Sequence, residues 1–159
     1  MKFWKKNFLI AVLLLFAVQS MSALTIEKLK EDPEKYNGSI VRLRGYVQFK
    51  ASIPLTELLI YILEDKTGSI LVFSAFPKEK DDRVSIRAEV IAYIGDENED
   101  QREETIDKMS DYLTEKEILT GDSARRVAQV SLKLLNSIAD AVTGTWFVIE
   151  QEKRGIFNL

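Results

Sequence analysis

Residues 40–73 read IVRLRGYVQFKASIPLTELLIYILEDKTGSILVF, and their alternation decides the fold. Val41, Leu43, Val47 and Phe49 share one parity with Gly45 among them, while Arg42, Arg44, Tyr46, Gln48 and Lys50 share the other. A period of two predicts a strand over residues 39–50 with one buried face. A glycine on the buried parity in mid-strand marks a sharp bend or a close backbone approach. After a loop containing Pro54, the run Leu58–Glu64 (LLIYILE) is apolar on both parities, with Leu58, Ile60 and Ile62 on one face and Leu59, Tyr61 and Leu63 on the other. Such a strand needs cover on its second face too, from helices, a partner or a ligand. At Asp65-Lys66-Thr67-Gly68 the chain turns, Asp65 being able to accept local N–H groups and Gly68 to take positive φ, and Ser69–Ser74 returns as a third strand.

Beyond Phe76-Pro77, a fourth strand is predicted over residues 83–95, with Val84, Ile86, Ala88, Val90, Ala92 and Ile94 on one parity and Ser85, Arg87, Glu89, Ile91 and Tyr93 on the other. The acidic run Asp96–Glu104 lacks the spacing and turn glycine of a calcium loop and reads as a solvated entry to a helix. Ile106, Met109, Tyr112 and Leu113 give that helix an apolar stripe, and Thr114 with Glu117 forms a capping-box pair predicted to restart a short turn. Asp122 is the predicted cap of the longest helix, residues 123–141, striped by Ala124, Val127, Ala128, Ser131, Leu134, Leu135, Ile138 and Val142. Thr143-Gly144 stops it, and TWFVIEQ (145–151) is a fifth strand whose Trp146, Val148 and Glu150 share one parity, Trp146 being assigned to the core. Upstream, Thr25 and Asp32 are predicted caps for two very short helical pieces, the first apolar at Ile26 and Leu29 and the second opened by Pro33 and ended by Asn37-Gly38; together they are expected to plug a barrel.

The first 22 residues have the form of a signal peptide: Lys2, Lys5 and Lys6, then an apolar run from Phe8 to Val18, then small residues, with cleavage preferred after Ser22 over Ala23. Eleven apolar residues fall short of the about 20 that span a bilayer, so no stable membrane insertion is expected after cleavage. The expected location is the periplasm or the extracellular space, and the expected organisation is one domain over 23–159 with a helical insertion over 96–143. Removing the three lysines from 22 basic residues leaves 19 against 25 acidic ones, a net charge of −6. That balance, with export, disfavours nucleic acid as the partner. Cysteine and histidine are both absent. The first absence removes disulfides, thiolate nucleophiles and iron–sulfur ligation; the second removes the commonest general base near neutral pH and the commonest metal ligand. No cofactor or metal motif is present, and no catalytic pair is placed by a recognisable motif.

The succession PEKYNG, VRLRGYV, LEDKTGSILVF and DRVSIRAEVIAYIG resembles the OB-fold domain superfamily, including exported bacterial OB-fold proteins, over about residues 30–95. The hairpin of that family, leucine-x-aspartate-x-threonine-glycine, is matched by Leu63, Asp65, Thr67 and Gly68; Asp82 and Ala88 stand where its fourth strand usually has glycines. The fold class this implies is mainly β with α, a five-stranded OB barrel carrying a two-helix insertion between strands four and five. An OB face carries unrelated ligands in different families, so the resemblance transfers no functional residues. From the residues themselves, Arg42, Arg44, Tyr46, Tyr61 and Arg87 are the ligand-binding candidates: guanidiniums in line with a ring can hold anionic groups and stack a second ring. The competing reading is a solvated strand face whose long side chains cover apolar surface. The expected function is therefore a non-enzymatic exported binding or interaction module for a partner protein or a small anionic ligand. The alternative is a single-stranded nucleic-acid binder using the same arginines.

Overall fold

The computed structural model describes residues 23–93, 98–142 and 146–152; the predicted signal segment and the tail after residue 152 lie outside them. Helices α1 (Ile26–Glu31) and α2 (Pro33–Tyr36) precede strands β1 (Ile40–Ser52), β2 (Leu59–Glu64), β3 (Ser69–Ser74) and β4 (Arg83–Ile91). Helices α3 (Glu99–Glu115) and α4 (Gly121–Val142) then lead to β5 (Phe147–Glu152). The strands close into a barrel in the order β1-β2-β3-β5-β4, antiparallel except for the parallel β3–β5 pair. This is the five-stranded OB-like barrel with a two-helix insertion that the sequence predicts.

Closure depends on β1 serving two neighbours. Its first half, Ile40–Tyr46, pairs with β4, and its second half, Tyr46–Ser52, pairs with β2. The corner falls at Gly45, where a Cβ would sit 2.3 Å from the Glu64 carbonyl oxygen, so only glycine lets the two backbones approach. A bulge between Val47 and Phe49 then shifts the register. Val47 stays inside opposite Leu63, but Phe49 lies opposite Ile62 on the outer side and is 45% exposed, which corrects its predicted burial.

Two apolar clusters result. The barrel interior holds Leu43, Val47, Tyr61, Leu63, Ile70, Val72, Ile86, Val90, Trp146 and Val148, closed by Ile26 and Leu29 of α1. The plug is fixed by the β2–β3 turn: Asp65 Oδ2 accepts from Ile26 N at 3.0 Å, and Thr67 Oγ1 accepts from Glu27 N at 3.0 Å. Asp65 Oδ1 also accepts from Thr67 N at 2.7 Å and Gly68 N at 3.0 Å, and Gly68 does not take the positive φ expected of it. Burial pushes the Asp65 carboxyl up, but the Thr67 hydroxyl and the Ile26, Thr67 and Gly68 N–H groups outweigh it and hold its pKa below the ordinary value.

The second cluster lies between the outer side of the barrel and the helical pair. Leu58, Ile60, Leu71, Phe73, Phe147 and Ile149 meet Ile106, Met109, Tyr112, Leu113, Ala128, Leu132 and Leu135 there. Each of the larger side chains contributes about 1.5–3 kcal/mol by burial. The doubly apolar β2 strand thus finds its second cover within the chain. Tyr112 anchors α3, its ring 5.8 Å from that of Phe73 and its hydroxyl accepting from Ala75 N at 3.1 Å, while Arg125 of α4 bridges Glu103 and Asp107 of α3. The predicted restart at Thr114 is instead the end of α3: the Thr114 hydroxyl donates to Ser110 O, and Glu117 takes φ 56° to turn the chain. The fourth strand ends at Ile91, earlier than predicted, with Ala92 and Tyr93 buried beyond it. Among the described residues no helix is long and apolar enough to cross a membrane.

Candidate functional site

The pairing of β1 with β4 assembles a surface that neither strand has alone. Arg42 lies opposite Arg87, Arg44 opposite Ser85 and Tyr46 opposite Arg83, on the parity that points away from the interior. Their sequence neighbours Leu43, Ile86 and Ala88 fill the barrel, which fixes the direction of the outward set. Three guanidiniums, those of Arg42, Arg44 and Arg83, make no ion pair with a described residue, in contrast to Arg125, Lys50, Lys78 and Lys108. Tyr46 stands at the end of this row, opposite Arg83, with 49% of its surface exposed. The buried Ser85 hydroxyl, on the residue opposite Arg44, has no hydrogen-bond partner in the structure.

Where β1 bends at Gly45, this face deepens into a groove of about 490 Å³. Arg44, Gly45, Tyr46, Gln48, Glu64, Asp65, Lys66 and Arg83 line it, and Tyr46 pairs with Arg83 on one side and Glu64 on the other, so the ring stands between a cation and an acid. Asp65 is committed to the turn and to the α1 N-terminus. A ligand with an anionic group and a flat apolar portion fits the chemistry of this groove, through guanidinium hydrogen bonds and contact with the Tyr46 ring.

Of the sequence-derived candidates, Arg42, Arg44, Tyr46 and Arg87 come together here. Tyr61 does not: it is 0% exposed inside the barrel. Its hydroxyl donates to Glu150 Oε2 at 3.0 Å, and burial, followed by the neighbouring Glu150 charge, pushes its pKa well above the usual phenol value. Ser74 Oγ also donates to Glu150 Oε2 at 2.7 Å, and Lys78 Nζ pairs with Oε1 at 3.0 Å. This buried polar cluster was not foreseen in the sequence. Its one signal was Glu150 on the same parity as Trp146 and Val148, a charge at the end of an inward-facing row. Arg83 and Lys66 were also missed, because only the register brings them beside Tyr46.

The outer face of β2 and β3, where OB barrels commonly hold ligands, is covered together with that of β5 by α3 and α4. Two further grooves flank the β1–β2 loop. One of about 390 Å³ is lined by Lys50, Leu58 and Lys78, and one of about 550 Å³ by Leu55, Glu57 and Lys116. Neither gathers unpaired cations: Lys50 is bound to Glu79, Lys78 to Glu150, and Lys116 to the Gln151 carbonyl. Among the described residues no group of three or more acidic side chains converges as a metal site. Compared with known protein families and with curated proteins, the sequence gives no match to either.

Proposed function

We propose that this protein is a non-enzymatic binding module, akin to exported bacterial OB-fold proteins, which holds an acidic partner protein or a small anionic ligand on its β1–β4 face. The observation that carries this reading is the set of three guanidiniums without ion pairs to described residues, Arg42, Arg44 and Arg83, on one strand face with the exposed Tyr46. Unpaired arginines beside an aromatic ring are the side chains most enriched in recognition surfaces. The signal-peptide pattern of residues 1–22 supports action in the periplasm or outside the cell.

The second reading is single-stranded nucleic acid, favoured by the same exposed ring amid arginines. It is the weaker one, because Tyr61 is buried and α3 and α4 cover the customary OB face, so the exposed rings of this strand are Tyr46 and, beyond the bulge, Phe49. Fluorescence anisotropy with a labelled acidic peptide and with a labelled oligonucleotide, run in parallel, separates the two. The peptide is expected to bind, with affinity reduced at least about 10-fold in the R44E/R83E variant. Tighter oligonucleotide binding that depends on Tyr46 would establish the second reading, and failure of both probes at low salt would refute the assignment of this face to binding.

A further inference from the structure

We propose that the acidic partner of the arginine face is helix α3 of a second copy of this chain, in a two-fold symmetric dimer; this rests on reading that face as a recognition surface. Asp100, Glu104, Asp107, Asp111 and Glu115 are exposed on α3 and recur every three or four residues, which places them on one side of the helix, away from the buried Ile106, Met109 and Leu113. Glu104 and Asp107 are held by Lys108 and Arg125, whereas Asp100, Asp111 and Glu115 make no ion pair with a described residue. From Asp100 to Asp111 the helix advances about 16 Å. Arg42 to Tyr46 covers about 13 Å of strand, so the two strips of opposite charge have similar lengths.

The strips also adjoin on one molecule. Lys108 of α3 reaches Glu89 of β4 at 3.9 Å, and Glu89 lies opposite Ile40, two positions beyond Arg87. Adjacent strips of opposite sign are self-complementary under a two-fold axis along their border: each copy's arginines meet the other's carboxylates, twice, in a closed isologous contact. At that border Ile40 is 48% exposed and supplies an apolar centre. The outward β1 positions Ile40, Arg42, Arg44 and Tyr46 include no lysine and no acid, the composition of an interface core. A nucleic acid or a free anion would use the arginines and leave both Ile40 and the α3 carboxylates without a part.

Sedimentation equilibrium of the purified full chain tests this, using the wild type and two charge-reversed variants, R42E/R44E and D100K/D111K. All four positions lack ion pairs to described residues, so both variants are expected to fold, which circular dichroism checks. The wild type is expected to dimerise with a dissociation constant that rises at least about 10-fold between about 0.05 and 0.5 M salt. Each variant alone is expected to associate at least about 10-fold more weakly. Mixing the two restores attraction at both halves of the contact and is expected to recover a 1:1 heterodimer. A wild type that stays monomeric at low salt overturns the proposal, as does a dimer indifferent to both reversals or a variant mixture that fails to associate. A monomer that still takes an acidic peptide through Arg44 and Arg83 overturns the dimer alone and leaves the binding-module reading in place; loss of peptide binding as well overturns both.

Discussion

Replacing Glu150 with glutamine tests whether the polar cluster inside the barrel stabilises the fold as a charged unit. Glu150 is 1% exposed and satisfies Lys78 Nζ, Tyr61 Oη and Ser74 Oγ together. In E150Q the Lys78 ammonium, whose side chain is only 11% exposed, loses its counter-charge. Breaking one half of a buried pair costs about 3–5 kcal/mol. K78M removes the cation but leaves the carboxylate with two hydroxyl donors, each worth about 1.5–3 kcal/mol to a charged acceptor. Its cost is therefore smaller, about 1–3 kcal/mol. The double variant buries neither charge, so its loss should fall short of the sum of the singles by about 1–3 kcal/mol. Urea denaturation followed by the fluorescence of Trp146, buried in the barrel, measures all four proteins. At about 2–4 °C per kcal/mol for a chain of this size, E150Q should also melt about 10 °C lower. A variant within about 0.5 kcal/mol of wild type, or an additive double variant, would show that Glu150 and Lys78 do not stabilise the barrel as a pair.

Gly45→Ala should destabilise by about 1–3 kcal/mol despite the lower conformational entropy of alanine in the unfolded chain, because the new methyl meets the Glu64 carbonyl rather than a movable side chain. Thermal melts check this, and an unchanged or raised melting temperature would contradict the close-approach account of the β1 corner. Asp65→Asn should cost about 0.5–2 kcal/mol near neutral pH by weakening the acceptor that serves the α1 N-terminus and its own turn. Because the folded pKa lies below the ordinary 3.8, the carboxylate's contribution is complete above that value and fades as pH falls through the folded pKa. The gap between wild type and variant should therefore shrink on acidification, and a gap that stays constant from about pH 6 to about pH 2 would rule out this role.

The candidate site was legible in the sequence as far as parity reaches. Arg42, Arg44 and Tyr46 stand on the polar parity of one strand and Arg87 on that of another, and local geometry sends each set to one face. That these two faces are the same face is a matter of pairing between residues about 40 positions apart, which no local pattern encodes. Arg83 escaped notice for that reason, although it shares the parity of Arg87. Tyr61 was misplaced because both faces of β2 are apolar, and parity alone could not say which face met the barrel and which met the helices.

The strands, the turn at Asp65, the caps at Thr25 and Asp32, the amphipathic helices and the need for a second cover over β2 can all be read locally, because they follow from side-chain periodicity and short-range hydrogen bonding. Tertiary structure alone decided where the barrel closes, which face α3 and α4 cover, how the bulge after Val47 turns Phe49 outward, and that Glu150 lies buried with Lys78. Those outcomes rest on contacts between segments distant in the chain, where the energy depends on register and on which apolar face is already taken. The three arginines and Tyr46 became one surface by the same rule, since β1 and β4 pair in a register that buries Leu43 and Ile86 and turns the other parity outward.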